Sequence, residues 1–128
     1  MGVTLQWKSI GTLHKFNELL ERSKTMPFIV LKHDPASVES GRIKFQLEDE
    51  WEIPEGNVDT YLVNTSIAPD IAREATAHAG VPDECPQIFL FADGVTMYDE
   101  SKDLINARKI RIALKIVLRT FKWLETRV

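Results

Sequence analysis

The chain has 128 residues, of which 44% are hydrophobic, and a formal net charge of -3. This length fits one domain with a sizeable core, and the charge excludes the basic surface typical of general nucleic-acid binding. No apolar run approaches the roughly 18 residues of a membrane-spanning helix, and no signal-peptide pattern follows Met1. Cys85 is the only cysteine, so no intramolecular disulfide can form, which fits a reducing compartment. We therefore expect one cytoplasmic domain over residues 1–128, with no nucleic-acid or membrane partner.

The first predicted elements are a helix and a buried strand. Apolar side chains recur at i, i+3, i+6 and i+7 within residues 11–24, which predicts a helix with one apolar face and Thr12 as its N-cap. The apolar residues are Leu13, Phe16, Leu19 and Leu20. The continuous β-prone run at residues 28–31 is typical of a strand that is buried on both faces of a sheet.

A second helix is predicted after this strand. Asp34 is a suitable N-cap, and Pro35 suits the first helical position, where its missing N–H costs nothing. Ser37 then lies in the first turn of a helix that continues to about residue 51. Its apolar face consists of Ile43, Leu47 and Trp51.

A second strand and a third helix follow. Residues 60–63, TYLV, are rich in β-prone side chains. After them we expect Ser66 or Asp70 to cap a helix that runs to Ala79, with Pro69 tolerated only in its first turn. Gly80 follows at the left-handed position that commonly ends a helix.

The stretch 81–99, VPDECPQIFLFADGVTMYD, contains the Cys85-Pro86 dipeptide and a predicted β-hairpin. Asp93-Gly94 separates two β-rich runs, and this pair favours a type I′ turn because it tolerates positive φ at both central positions. A proline directly before such a hairpin suggests a cis Cys85-Pro86 bond, as in the cis-proline loop of the thioredoxin fold. A last helix is predicted from residue 106 to about residue 125.

The predicted order is helix, strand, helix, strand, helix, hairpin and helix. A right-handed crossover makes the first two strands parallel, and the hairpin adds antiparallel strands. This is the arrangement of a thioredoxin-like α/β fold, with a mixed four-stranded sheet of two parallel strands plus an antiparallel hairpin, flanked by helices. The junction between the first strand and its helix then lies near the loop before the hairpin. We therefore expect Ser37 to lie opposite Cys85 and Pro86.

The chain resembles the bacilliredoxin-like proteins of the bacillithiol system, which are YtxJ-type, monothiol members of the thioredoxin superfamily. The resemblance rests on the order and spacing of four short features. They are Trp7-Lys8, the amphipathic first helix, the strand ending in Lys32-His33, and Cys85-Pro86-Gln87 followed by a strand and an Asp-Gly turn. The resemblance implies a bacterial protein of thiol-redox homeostasis. In that family, a cysteine four residues after the histidine exchanges disulfides with bacillithiolated proteins.

The chain departs from this family at the position of the nucleophile. The residue four after His33 is Ser37, the proline expected next is Val38, and the serine expected before the cis-proline is Cys85. Disulfide exchange requires a thiolate, whereas a serine hydroxyl has no significant ionised fraction near neutral pH. Ser37 therefore cannot act as the family's nucleophile. Neighbouring positions depart as well, which favours a natural loss over an engineered serine.

The favoured interpretation is a redox-silent binding module, which is not an enzyme. In this hypothesis the groove around Ser37, Cys85 and Pro86 binds bacillithiol, another low-molecular-weight thiol, or a thiol-containing protein or peptide. The backbone beside a cis-proline offers N–H and C=O groups for strand-like pairing. His33 and Asp34 adjoin the same groove and complete the predicted binding residues.

An alternative is an active monothiol redox protein in which Cys85 exchanges with bacillithiol or with protein disulfides. Its thiolate would need stabilisation from the helix N-terminus near Ser37 or from His33. Asp34 and Glu39 oppose this stabilisation, because they add negative charge at the same helix end.

A third interpretation is a structural role of the last helix. A second apolar stripe, formed by Ile112, Ile116 and Trp123, predicts a homodimer interface. We expect no cofactor, because no Gly-rich phosphate loop is present. We also expect no metal site, because His14 and His78 lie on separate helices without ligand spacing.

Overall fold

The structure is a computed structural model that describes the backbone of residues 4–127 and the side chains of residues 4–120. Its helices are α1 (Leu13–Arg22), α2 (Val38–Asp49), α3 (Pro69–Ala79) and α4 (Ala107–Arg127), with a 3-10 turn at Lys102–Leu104. Its strands are β1 (Phe28–His33), β2 (Asp59–Asn64), β3 (Gln87–Ala92) and β4 (Val95–Ser101). The predicted order of elements is confirmed.

The four strands form one mixed sheet in the order β2-β1-β3-β4. β1 and β2 are parallel, with His33 opposite Asn64, whereas β3 runs antiparallel to both β1 and β4. Gln87, the first residue of β3, pairs with Lys32 near the end of β1. The carboxyl ends of β1 and β2 therefore meet the start of β3 at one edge of the sheet. The predicted thioredoxin-like α/β fold is confirmed.

Alternate residues of β1 belong to two separate cores on the two faces of the sheet. Ile29 and Leu31 pack in a cluster with residues of α2 and α4, whereas Phe28 and Val30 pack in a cluster with residues of α1 and α3. A strand covered by helices on both faces must be apolar at every position. This requirement explains the continuous apolar run of β1.

The predicted turn and two predicted helix ends are present. The Thr12 hydroxyl accepts the backbone N–H of Lys15 at 3.0 Å and caps α1. Gly80 ends α3 in the left-handed conformation, with φ of 70°. Asp93 and Gly94 have φ of 54° and 75°, which is the combination that a type I′ turn requires.

The expectation that Asp34 caps α2 is wrong. Ser37 is the N-cap, since its hydroxyl oxygen accepts the Ser40 N–H at 3.2 Å, and Pro35 lies in a turn before the helix. The Asp34 carboxylate instead accepts the Ala36 N–H at 2.9 Å. A short polar side chain commonly bonds the backbone two residues further on, and this local turn competes with helix capping. α2 also ends at Asp49, before the predicted residue 51.

The expectation that Ser66 or Asp70 caps α3 is also wrong. The Asn64 carboxamide oxygen accepts the backbone N–H groups of Ser66 and Ile67, at 2.8 and 3.2 Å. These bonds stabilise a turn at residues 64–67, so the helix begins only at Pro69. It has no side-chain cap. Proline is favoured at this first position because a backbone N–H there would have no acceptor within the helix, so its absence costs no hydrogen bond.

The second apolar stripe of α4 falls partly outside the described side chains. Ile112 and Ile116 are exposed, whereas the side chain of Trp123 lies outside the described residues. The homodimer through these three residues stays a prediction. Among residues 4–127, no helix is long and apolar enough to cross a membrane.

Replacing Phe91 tests the aromatic core between the sheet and α1. Phe91 is fully buried, with its ring centroid 4.9 Å from that of Phe28 and 5.7 Å from that of Phe16. We expect Phe91→Ala to lower the free energy of unfolding in urea by about 3–5 kcal/mol, because it leaves a cavity. The control Phe45→Ala removes the same ring from an exposed position of α2 and should change that energy by less than about 0.5 kcal/mol. Equal losses in both variants would contradict this description of the core.

Candidate functional site

The candidate site lies where β1 ends, α2 begins and the loop at 81–86 leads into β3. Ser37 stands at the N-terminus of α2, where its oxygen is occupied by the Ser40 N–H. The partial positive charge of a helix N-terminus stabilises anions. A cysteine at this position would therefore have a favourable setting for a thiolate. The serine that occupies it supplies only hydrogen bonding.

Ser40 is the polar centre of the site, although no motif in the sequence indicates this role. It is fully buried, and its hydroxyl oxygen accepts the Asp34 N–H at 3.0 Å. The same oxygen lies 2.7 Å from Nδ1 of His33. The one signal in the sequence is its place three residues after Ser37, which puts both serines on adjacent turns of one helix face.

His33 is a neutral imidazole in this setting. Burial lowers its pKa, and the nearby Lys44 ammonium lowers it further. The Asp34 N–H already donates to the Ser40 oxygen, which leaves the Ser40 hydroxyl hydrogen free to donate to Nδ1 of His33. His33 therefore orients Ser40 and supplies no positive charge that would stabilise a thiolate.

Cys85 is half-buried at the end of the loop that precedes β3. Its thiol donates to the backbone carbonyl of Lys32, with an S···O distance of 3.7 Å. Burial raises the pKa of the Cys85 thiol, and the charge of Asp34 adds to this increase. The Lys32 ammonium and the nearby polar groups of Ser40 and of the Asp34 backbone act in the opposite direction without cancelling this increase. Cys85 is therefore a protonated thiol at neutral pH.

The Cys85-Pro86 peptide bond is cis. The Pro86 carbonyl accepts the Lys102 N–H at 2.8 Å, which ties this loop to the 3-10 turn after β4. Within the described part of the chain, neither the N–H nor the C=O of Cys85 has a hydrogen-bond partner. These two groups are available to an extended ligand strand.

Three exposed apolar side chains stand on the segments around this site. Val38 begins α2, Ile67 lies in the loop after β2, and Leu104 lies in the 3-10 turn. They are 88%, 81% and 56% exposed, respectively. The loop that holds Ile67 is bonded to β1, since the Thr65 N–H donates to the His33 carbonyl at 3.0 Å.

The structure brings together four of the five residues selected from the sequence through their contacts with Ser40 and Lys32. His33, Asp34 and Ser37 each bond to Ser40, and Cys85 bonds to the Lys32 carbonyl. Pro86 follows Cys85 directly. The roles of these residues in binding or catalysis stay predictions.

Solved structures show that the chain has the fold of the thioredoxin class. One is a protein with a thioredoxin fold, with a TM-score of 0.69 and 22% sequence identity, covering 82% of this chain and 90% of that chain. Thioredoxin from Trypanosoma brucei brucei has a TM-score of 0.67 and 11% identity, covering 89% and 92%. Thioredoxin from Malassezia sympodialis has a TM-score of 0.66 and 15% identity, covering 91% and 96%.

Within this class the chain belongs to the monothiol bacilliredoxin BrxC family, whose sequence pattern matches residues 8–110. The match includes β1, the start of α2 and the Cys85-Pro86 loop, and it confirms the resemblance found from the short motifs. The chain is therefore a thioredoxin-fold protein of a redox family. No curated protein has a sequence that matches it significantly.

The pH dependence of Cys85 alkylation tests its protonation state. Because burial raises the pKa of this thiol, we expect the midpoint of the iodoacetamide rate profile to lie above that of the same chain unfolded in urea. The raised pKa also means that Cys85 contributes stability below the unfolded pKa, and that this contribution is lost as pH rises through the folded pKa. A folded midpoint below the unfolded one would instead identify a reactive thiolate.

Proposed function

We propose that this chain is a redox-silent monothiol bacilliredoxin that binds thiol compounds without exchanging disulfides. Its ligand is bacillithiol, another low-molecular-weight thiol, or a thiol-containing peptide segment of a protein. The ligand site is the groove formed by Ser37, Cys85 and Pro86, with His33 and Asp34 beside it. One observation carries this proposal: the helix N-terminus that would stabilise a thiolate is capped by the Ser37 hydroxyl.

The chemistry of exchange explains why this observation matters. A thiolate must attack one sulfur of a disulfide, and the attack rate depends on the thiolate fraction. Ser37 has no sulfur, and the raised pKa of Cys85 keeps that thiol protonated at neutral pH. The protonated thiol donates to the Lys32 carbonyl. Both features favour binding over exchange.

The surroundings of the groove support an extended peptide or a thiol conjugate as ligand. The N–H and C=O groups of Cys85, which have no partner among the residues that the structure describes, can pair with the backbone of an extended segment, as in other strand-addition complexes. Val38, Ile67 and Leu104 offer apolar surface on the segments that border the same groove. Such side chains supply binding energy, whereas the backbone pairs fix the orientation of the ligand.

The alternative, in which Cys85 itself performs the exchange, has less support. Lys32 and Ser40 favour the Cys85 thiolate, but burial and the charge of Asp34 outweigh them. His33 adds no positive charge, because burial lowers its pKa. The cytoplasmic location and the bacterial source remain part of this proposal.

A binding titration followed by NMR tests the proposed function. We expect bacillithiol or an extended cysteine-containing peptide to shift the backbone amide signals of residues 33–40, 64–68 and 84–87. We expect Ile67→Glu to weaken binding by roughly fivefold or more, because it removes an apolar contact that contributes about 1 kcal/mol to the binding free energy. The matched control Phe45→Glu places the same charge on an exposed apolar site of α2, about two turns from Ser37, and should leave binding unchanged.

The same titration can contradict the proposal in two ways. Signal changes confined to other faces of the protein would place the ligand elsewhere. No signal change with either ligand at millimolar concentration would remove the binding function for this groove.

A further inference from the structure

Lys32 is a lysine with its side chain buried inside the fold, directly behind the candidate site. It lies on β1 with 1% of its surface exposed. Its ammonium donates to the Thr76 hydroxyl at 2.7 Å, to the Gln87 carboxamide oxygen at 2.9 Å and to the Asp83 carboxylate at 2.5 Å. An ammonium has three N–H donors. All three are therefore used, by acceptors on α3, on β3 and on the loop that leads to Cys85.

Asp83 is the only anion among these three acceptors. Its side chain is 70% exposed, so it stands at the surface while its carboxylate reaches the buried ammonium. A buried charge that loses its partner is strongly destabilising. The interaction therefore favours the loop conformation in which Asp83 points toward Lys32 over conformations in which Asp83 is free in water.

Further contacts tie the loop at 81–86 to the same group. The Gln87 carboxamide nitrogen donates to the Pro82 carbonyl at 3.0 Å, while its oxygen accepts from Lys32. The backbone carbonyl of Lys32 accepts the Cys85 thiol. Lys32 therefore contacts the loop through its side chain at Asp83 and through its backbone at Cys85.

An apolar side chain at position 32 would fill the space without this directional contact. Replacement of buried ion pairs by apolar residues of similar volume is often neutral or stabilising in proteins. Stability alone therefore does not account for a lysine here. The directed hydrogen bonds account for it: those to Thr76 and Gln87 hold the ammonium against α3 and β3, and the one to Asp83 specifies where the loop lies relative to the sheet.

We propose that Lys32 and Asp83 are positioning residues that hold the loop at 81–86, and so fix Cys85 and Pro86 in the groove. This inference deepens the proposed function and rests on it for the identity of the groove. The ion pair acts through the loop and does not touch the ligand. Its loss would release the loop while the sheet and both cores remain folded.

The iodoacetamide reaction rate of Cys85 in the folded protein tests this positioning role. We expect Asp83→Ala to raise this rate about tenfold or more, because the loop loses the ion pair that holds it. The matched control is Glu84→Ala, which removes a carboxylate from the adjacent exposed residue and should stay within about twofold of the original rate. Urea unfolding of each variant gives the contribution of global unfolding to the reaction. A rate that stays at the original value, or that rises only as global unfolding predicts, would overturn the proposal.

The double variant Lys32→Met/Asp83→Ala separates positioning from charge burial. It removes the unpaired buried ammonium, so we expect it to be more stable than Asp83→Ala in urea while Cys85 still reacts rapidly. A return to the slow original rate would show that the single variant acted only through the uncompensated charge, and would overturn the proposal.

The isosteric variant Asp83→Asn, which keeps a neutral acceptor, should give an intermediate rate. It replaces Asp83→Ala in this test if the alanine variant does not fold. An Asp83→Asn rate equal to the original would likewise count against the ion pair.

The alkylation readout contains no ligand, so the two proposals can fail separately. A fast Cys85 in Asp83→Ala together with no ligand binding in the original protein would support the positioning role and remove the binding function. An unchanged alkylation rate in Asp83→Ala, together with ligand binding by the original protein, would remove the positioning role and support the binding function.

Discussion

At the N-terminus of α2 the Ser37 hydroxyl caps the helix by accepting the Ser40 N–H. In our proposal the identity of this capping residue decides what the site can do. The same position in a thiol-exchange protein needs a group that ionises, because the helix dipole can stabilise only a charge that forms. A hydroxyl at this position keeps the start of the helix capped. It removes the ionisable sulfur from the place where the fold best supports it.

The remaining polar groups of the site extend from Ser40 and Lys32. Ser40 joins His33 and Asp34, and Lys32 joins the loop that carries Cys85. The groups that raise the pKa of the Cys85 thiol prevail over those that lower it. The site therefore holds a half-buried thiol with a raised pKa, and this is the reason for our proposal that it recognises a ligand rather than exchanging disulfides.

The sequence was sufficient for the fold and insufficient for the local bonding at the site. Some features depend on one strand, turn or helix end alone, and their sequence patterns predicted the structure correctly. These are the apolar run of β1, the Asp93-Gly94 turn and Gly80. The caps of α2 and α3 depend on competition between neighbouring polar side chains, and that competition is settled by turn geometry. The buried Lys32 is a stronger case, because a charged residue in a strand ordinarily indicates exposure. Its partner Asp83 lies 51 residues away, and only the assembled sheet brings the two together.

We propose that Ser37 makes this chain unable to exchange disulfides, and the most direct test compares the chain with its Ser37→Cys variant by mass spectrometry. Each protein is mixed with a test protein that carries bacillithiol as a mixed disulfide. In the Ser37→Cys variant the new thiolate attacks the bacillithiol sulfur, a protein–bacillithiol disulfide forms, and the test protein leaves as its thiolate. We expect this adduct in Ser37→Cys and no adduct in the original chain. An adduct on Cys85 of the original chain, formed at a comparable rate, would contradict the account.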